Sequence, residues 1–416
     1  MQKQLEIYKK QLTEAVYASL DFGLDTSDTE MYALIDEKLD TFCVSHGLSL
    51  ELRRKLRRDV FSAIRELDVL QPLLDDPRVT EIMVNGPDEI FVERAGRLSR
   101  HTETFESAQK LSDVVQQIVA GCNRVVNEAS PIVDARLKNG ARVNIVLSPV
   151  ALNGPILTIR RFPEHPITMR GLIAFGALPE ELFSFLSVLV KAGCNIFISG
   201  GTGSGKTTFL NALSDSVPED ERVITIEDNA ELQIRHIPNL VRMEARNANV
   251  EGCQEITIRD LIKSSLRMRP DRIIVGEVRG SEAIDMIQAM NTGHDGSMST
   301  GHANSTKDML SRLETMILMG MELPLAAVRR QIASAIDVIV HLSRMRDKSR
   351  KLVEICEVTG QIDAVTGEVE TRPLFAFRET GQDAEGNISG IWEKQHDFQN
   401  MEKIRAAGLT LPVYAG

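Results

Sequence analysis

No uncharged apolar run in this chain approaches the 18 or more residues that a membrane-spanning helix needs. The amino terminus, Met1-Gln2-Lys3-Gln4-Leu5-Glu6, has no apolar signal core, so the chain is expected to stay in the cytoplasm. Cysteine is scarce: Cys43, Cys122, Cys194, Cys253 and Cys356 stand alone with no C-x-x-C pair, which excludes a disulfide framework and a zinc knuckle and leaves buried free thiols. Aromatics make up 5% of the residues, with one tryptophan, and 48 basic residues face 59 acidic ones. A net charge of −11 argues against a general nucleic-acid binder, whose affinity rests on neutralising phosphates, and the shortage of aromatics argues against a stacking surface for single strands. Internal repeats and low-complexity tracts are also missing.

What is present is ample for two or three domains: 416 residues, 43% of them hydrophobic. Residues 1–70 carry apolar positions at helical spacing, as in Leu52, Leu56, Val60, Ile64 and Leu67, and predict two or three helices. The turn formers of Asp21-Phe22-Gly23-Leu24-Asp25-Thr26-Ser27-Asp28 separate them and supply a helix cap. The basic cluster Arg53-Arg54-Lys55 with Arg57-Arg58 reads as a solvated helix face before it reads as a surface for anionic lipid or an acidic partner. Residues 71–162 turn to short β segments, Glu81–Asn85 and Ile90–Glu93, and to a hairpin in which Lys138-Asn139-Gly140 joins Asp134–Leu137 to Ala141–Val146. This predicts a small α+β domain. Pro163-Glu164-His165-Pro166 opens a linker over 163–180. Residues 181–360 alternate strand and helix patterns, predicting an α/β fold with a largely parallel sheet, and 361–416 read as hairpins and loops appended to it.

The strongest chemical signal is Gly200-Gly201-Thr202-Gly203-Ser204-Gly205-Lys206-Thr207-Thr208, between the strand-like Asn195–Ser199 and the helix-like Phe209–Leu213. This G-x-x-x-x-G-K-[ST] pattern is a phosphate cradle: glycines let the backbone wrap an anion with the next helix's positive end behind it. Lys206 is expected to reach the β and γ phosphates and Thr207 to hold Mg²⁺. Two acidic motifs end later strand patterns, Val223-Ile224-Thr225-Ile226-Glu227-Asp228 and Arg272-Ile273-Ile274-Val275-Gly276-Glu277. At a strand's carboxyl end an acid can serve Mg²⁺ or the attacking water, and Glu277 is the first choice. The bland readings are that Glu277 caps the next helix or pairs with Arg279, and that Glu227 and Asp228 are ordinary strand-end acids. His294 and His302 fall in the Gly/Ser/Thr-rich stretch Gly293–Asn304, with no cysteine or further histidine to make a metal site; sensing of a γ-phosphate is the alternative. Arginines that could meet phosphate are Arg136, Arg142, Arg160 and Arg161 before the cradle and Arg267, Arg269 and Arg279 after it.

Together with Glu81–Pro87 and Val133–Leu137, the cradle, Ile226-Glu227-Asp228, the run Leu266–Gly280 and the segments Gly293–Gly296 and His302-Ala303-Asn304 resemble the secretion ATPases of type II and type IV secretion and type IV pili. The resemblance is greatest to the CpaF/TadA branch of Flp (tight-adherence) pilus assembly. It covers about residues 71–360. It implies a PAS-like domain joined to a RecA-like P-loop ATPase core, ATP and Mg²⁺ as ligands, a homohexamer, and polytopic membrane platform proteins as partners that bring the protein to the inner face of the cytoplasmic membrane. It further implies that Glu277 and Glu227 serve metal and water, that the two histidines relay the nucleotide state, and that Arg142, Arg160 or Arg161 reach phosphate. A tetracysteine insert found in many type II members is absent. In place of the family's Gly-Thr-Leu-His the chain has Ser299-Thr300-Gly301-His302, which predicts a looser backbone before His302. Two other readings fit the same core: a DNA translocase or recombinase, and a nucleotide-gated scaffold that does not hydrolyse.

Overall fold

The computed structural model describes residues 2–20, 26–94, 96–122, 124–137, 139–161, 166–246, 254–383 and 386–414. Most of the first interhelical turn (residues 21–25), Lys138 of the hairpin turn, the first part of the linker (163–165) and Cys253 lie outside them. The chain divides into two compact units at residues 163 and 164.

The first unit begins with three helices, α1 (Gln2–Tyr17), α2 (Asp28–His46) and α3 (Leu50–Arg65). Ser27 caps α2 reciprocally with Glu30, and Gly47 ends it in the left-handed conformation. Leu12, Val16, Ile35, Leu39, Leu56 and Val60 fill the space between the helices. On α3, Arg53, Lys55 and Arg57 pair with Asp40, Glu103 and Asp36, so the basic cluster is largely committed inside the unit. After α4 (Gln71–Asp75) come β1 (Val79–Asn85), β2 (Ile90–Arg94), β3 (Arg97–Arg100), α5 (Ala108–Gly121), β4 (Ile132–Arg136), β5 (Arg142–Val146) and β6 (Ile156–Arg160). The strands form one sheet in the order β3-β2-β1-β6-β5-β4, with antiparallel neighbours throughout. The inward set of β1 and β2, Ile82, Val84, Ile90 and Val92, packs with Leu111, Val115 and Ile118 of α5, as period-two and period-3.6 patterns require.

The second unit holds α6 (Met169–Ala174), α7 (Glu180–Lys191), β7 (Ile196–Gly200), α8 (Lys206–Ser214), β8 (Val223–Glu227), β9 (Leu240–Glu244), α9 (Ile258–Ser265), β10 (Arg272–Val275), α10 (Ala283–Met290), β11 (Met298–His302), α11 (Thr306–Gly320) and α12 (Leu325–Ala335). It closes with β12 (Val338–Arg344), β13 (Arg350–Ile362), β14 (Val369–Gln382), β15 (Ile388–Lys394) and α13 (Glu402–Ala406). Nine strands make one sheet, β15-β14-β13-β12-β7-β11-β10-β8-β9. The six from β12 to β9 are parallel; β13 to β15 continue as an antiparallel meander. The strands β7, β8 and β10 are buried along their whole length, as expected of parallel strands covered on both faces.

Two segments differ from the sequence reading. The stretch read as linker contains α6, capped by Thr168, and it buries Met169, Ala177 and Leu178 in the core of the second unit. The stretch read as an appendage supplies β14, β15 and α13, and Leu374, Phe375, Phe398 and Ile404 share a core with Phe209 and Leu210 of α8. Lys403 bridges Asp295 and the buried Asp337, and Asp337 also accepts from Asn195 N–H at the foot of β7.

Arg272, at the start of β10, is fully buried. Glu221 meets its Nε and Nη2 at 2.7 and 2.8 Å, and the carbonyls of Gly296 and Val190 take further N–H groups. Gly296 (φ 79°) is required there, since a β-carbon would lie 2.6 Å from Arg272 Cζ. Glu221→Ala strips the carboxylate from a buried guanidinium and should destabilise the second unit by about 3 kcal/mol. Urea unfolding followed by Trp392 fluorescence measures this, because the chain's one tryptophan lies in β15.

Candidate functional site

The parallel order β7-β11-β10-β8 brings four strand ends side by side. Gly200 ends β7, His302 ends β11, Gly276 and Glu277 follow β10, and Glu227 ends β8. Sequence alone could not show that β11 is inserted between β7 and β10, and that insertion is what places His302 beside the glycine-rich loop.

The loop from Gly200 to Gly205 leads directly into α8, whose first three residues are Lys206, Thr207 and Thr208. Gly205 has φ 92°. At Gly200 a β-carbon would lie 2.4 Å from the Leu342 carbonyl oxygen and 2.5 Å from Ser204 Oγ, so only glycine fits. Ser204 Oγ donates to the Gly201 carbonyl at 2.9 Å and tightens the turn. Gly201, Thr202 and Gly203 are exposed, and Thr207 and Thr208 are half-buried at the helix start.

Lys206 is only 7% exposed, and its ammonium donates to the carbonyls of Gly200 and Gly201, both at 3.0 Å. His302 Nδ1 lies 3.3 Å from the same ammonium. Burial pushes the lysine below its ordinary pKa, with Glu277 opposing the shift. His302 is lowered too, by burial first and then by the Lys206 charge. On its other edge, His302 Nε2 is 2.8 Å from Glu277 Oε1, off the angle of a hydrogen bond. Glu277 Oε2 accepts from Arg279 at 2.7 Å, and Arg279 also reaches Asp228 at 3.5 Å. A contiguous line of polar contacts therefore runs from Lys206 through His302 to Glu277, Arg279 and Asp228, with the charge alternating from Glu277 onward. The Arg279 pairing considered from sequence is present, and it belongs to this line.

Glu227 is 3% exposed. Its Oε1 accepts from the N–H groups of Glu231 and Leu232, both at 2.9 Å, while Oε2 is buried without a hydrogen-bond partner. Burial outweighs those two bonds and lifts the carboxyl to about 7. Among the described residues no group of three or more His, Cys, Asp or Glu side chains could enclose a metal. Mg²⁺ itself keeps several waters and takes one or two carboxylates together with substrate phosphates. The Thr207 hydroxyl and the Glu277 carboxylate, whose Oε1 is buried without a hydrogen-bond partner, fit it as protein ligands.

A cleft of about 560 Å³ opens beside the loop, lined by Gly201, Thr202, His302, Asn304, Asp308 and Arg312 among others. That volume lies in the usual range for small-molecule sites. The backbone before His302 is not loose. Gly301 and His302 pair with Ser199 and Gly200, and Phe197 and Met309 fill the space where a side chain at 301 would sit.

Other expected residues lie elsewhere. His294 precedes β11 at the amino end of the sheet, opposite the loop, and its Nδ1 lies 3.2 Å from the Ala289 carbonyl oxygen. Its neighbours Asp295 and Gly296 serve Lys403 and Arg272, and Gly296 makes room for that structural arginine. In the first unit, Arg161 Nη1 donates to the backbone carbonyls of Asp76 and Val79, which fixes it as a brace for β1. Arg142 and Arg160 are cross-strand partners, and Arg136 is the next partner in the same row. Three arginines in one row cost like-charge repulsion, offset in part by Asp134 at 3.3 Å from Arg142 and by Glu81 opposite Arg160. Two features went unread in the sequence. Arg350 Nε donates to the Gly203 carbonyl at 2.9 Å with Arg344 beside it, and His341 lies 2.7 Å from Ser199 Oγ directly behind the loop. The basic run Arg344–Lys351 was the available signal for the arginines.

Residues 64–389 match the family model described as type II/IV secretion system protein. A Mycobacterium tuberculosis H37Rv protein named, provisionally, for conjugal transfer is 38% identical over 307 residues, spanning 72% of this chain and 87% of that protein. The type IV secretion system protein VirB11 of Brucella suis is 35% identical over 303 residues, spanning 66% of this chain and 84% of VirB11. The X-ray structure of the ATPase DotB from Yersinia pseudotuberculosis superposes with a TM-score of 0.52 at 18% identity, over 71% of this chain and 78% of that one, a likeness of fold.

Glu227 gives a test that needs no ligand. Below about pH 4.5 its carboxyl is protonated whether the chain is folded or not; between there and about 7 only the folded state keeps the proton; above that the fold carries a buried charge. Relative to Glu227→Gln, the wild type should therefore lose up to about 3 kcal/mol of stability as pH rises from 4.5 to 8. Paired urea titrations of the two proteins at both pH values, read by Trp392 fluorescence, measure the difference.

Proposed function

The chain belongs to the type II/IV secretion system protein family and is an ATPase of that family, and from this premise we propose that it hydrolyses ATP with Mg²⁺ to drive assembly of a Flp pilus. The observation that carries the reading is the ammonium of Lys206. It is buried against loop carbonyls at 3.0 Å, one step from His302 and two from Glu277. A nucleotide phosphate offers that ammonium a full negative charge in exchange for two neutral carbonyls. Its departure from the carbonyls leaves His302 facing the terminal phosphate and frees Glu277 from its contact with the imidazole.

Mg²⁺, held by Thr207 and Glu277, would neutralise charge on the phosphates during transfer. Glu277 then orients the attacking water, and Glu227, with its unpartnered Oε2 and a pKa of about 7, takes up a proton near neutral pH. Asp228 acts through Arg279, holding it against Glu277. Loss of the γ-phosphate restores the contacts of the empty site, and this exchange is the switch that moves one unit against the other.

The proposed working form is a homohexamer on the cytoplasmic face of the membrane, bound to polytopic platform proteins of the pilus machine. The family resemblance implies that Arg142 or Arg160 would meet a phosphate. Among the described residues no helix is long and apolar enough to cross a membrane, in keeping with attachment through partners. The pilus branch is favoured by the absence of a tetracysteine insert.

Steady-state hydrolysis with Mg²⁺ tests this. Lys206→Ala should abolish turnover, and wild-type rates in that variant would remove the cradle assignment. Glu277→Gln should bind ATP yet lose about 10²-fold or more in kcat; an unchanged kcat would pass its role to Glu227. Turnover per chain should rise with protein concentration and ignore DNA. Strong stimulation by DNA would favour a translocase instead.

A further inference from the structure

The β12–β13 hairpin ends over the phosphate loop. Residues 344–351 read Arg-Met-Arg-Asp-Lys-Ser-Arg-Lys, five basic side chains to one acid. Two of the five are committed: Arg346 forks onto Glu379, and Lys351 donates to the Gly176 carbonyl at 2.7 Å. Asp347 is spent on the turn and on Ile388 N–H at 2.6 Å, which ties the hairpin to β15. Lys348 sits exposed in the turn itself (φ 71°), which leaves Arg344 and Arg350 on the strands. They are direct cross-strand partners, both exposed, and neither has a carboxylate within ion-pair distance among the described residues.

Like charges directly opposite each other on an antiparallel pair are destabilising. Here the hairpin is fixed, so the repulsion is held in place. Arg350 uses only its Nε, on the Gly203 carbonyl, and its Cδ comes within 3.2 Å of where a β-carbon on Gly205 would sit. Arg344 Nη1 lies 3.8 Å from the corresponding position on Gly203. Four N–H donors of Arg350 and all five of Arg344 are left to bind an anion at the wall of a loop built for phosphate.

We propose that Arg344 and Arg350 form a phosphate clamp that grips the phosphate tail of the nucleotide held by the Gly200–Thr207 loop. The inference rests on the nucleotide-binding reading above and adds a second source of positive charge from the same chain. Arg350 has a further effect through the backbone: by holding the Gly203 carbonyl outward it steadies the loop before the nucleotide arrives. The clamp lies on a hairpin tied to β14 and β15, so nucleotide occupancy is felt in the antiparallel part of the sheet.

Binding of a fluorescent ADP analogue to full-length wild-type protein, R344A, R344A/R350A and R344K/R350K tests the clamp. The double alanine variant should bind at least 10-fold more weakly, and the double lysine variant should recover part of that loss. R344A, which removes only the repulsion with Arg350 from the nucleotide-free protein, should weaken binding several-fold with a urea midpoint at Trp392 no lower than that of the wild type. ADP affinity of R344A/R350A within twofold of wild type would overturn the clamp. So would unchanged ADP affinity with lost binding to phosphatidylglycerol vesicles, which would assign the arginines to a lipid surface. Absence of ADP binding by the wild type would instead remove the nucleotide reading on which the clamp depends.

Discussion

The buried ammonium of Lys206 is the interaction around which this molecule is arranged. It is 7% exposed and, among the described residues, it is satisfied by two backbone carbonyls and faces a histidine, with no carboxylate in ion-pair contact. A buried cation met only by neutral acceptors is a costly state, and burial accordingly lowers its pKa. An anionic ligand relieves that cost. Beyond Lys206, Glu277 lies between His302 and Arg279, and Arg279 between Glu277 and Asp228, so each charged member of that line has an opposite charge beside it.

Holding that line together takes most of the second unit. Gly200 needs contact space against Leu342, and Leu342 lies on β12, a strand that pairs with β7 only because the sheet continues past the cradle. The foot of β7 is bonded to Asp337, Asp337 to Lys403 of the last helix, and Lys403 to Asp295 before β11. The buried Arg272 fastens β10 to Glu221 and to the carbonyls of Gly296 and Val190. The amino ends of the strands are thus cross-linked by charge and hydrogen bonds, and the carboxyl ends are left to do chemistry.

Much of this was legible in the sequence where chemistry and local geometry coincide. The glycine pattern of Gly200–Gly205, the apolar and β-branched runs into Glu227 and Glu277, and the strand–turn–strand of β4 and β5 each declare a local backbone form. Contacts set by strand order did not show. His294 and His302 look equivalent in one Gly-rich stretch, yet β11 lies between them and sends them to opposite ends of the sheet. Arg161 reads like Arg160 but turns to the carbonyls of Asp76 and Val79, and Arg344 and Arg350 meet the cradle only because β12 runs parallel to β7. The last fifty residues carry no motif, and their role is packing: Phe375, Phe398 and Ile404 close the core that supports α8.

In the proposed mechanism, phosphate takes Lys206 away from its loop carbonyls and so releases Glu277 from His302. A structure of the protein with Mg²⁺ and a non-hydrolysable ATP analogue tests it most directly. The expected result is Lys206 Nζ on the β and γ phosphates, well beyond hydrogen-bond reach of the Gly200 and Gly201 carbonyls, with His302 parted from Glu277. Bound analogue with Lys206 still on both carbonyls and His302 still against Glu277 would contradict that mechanism.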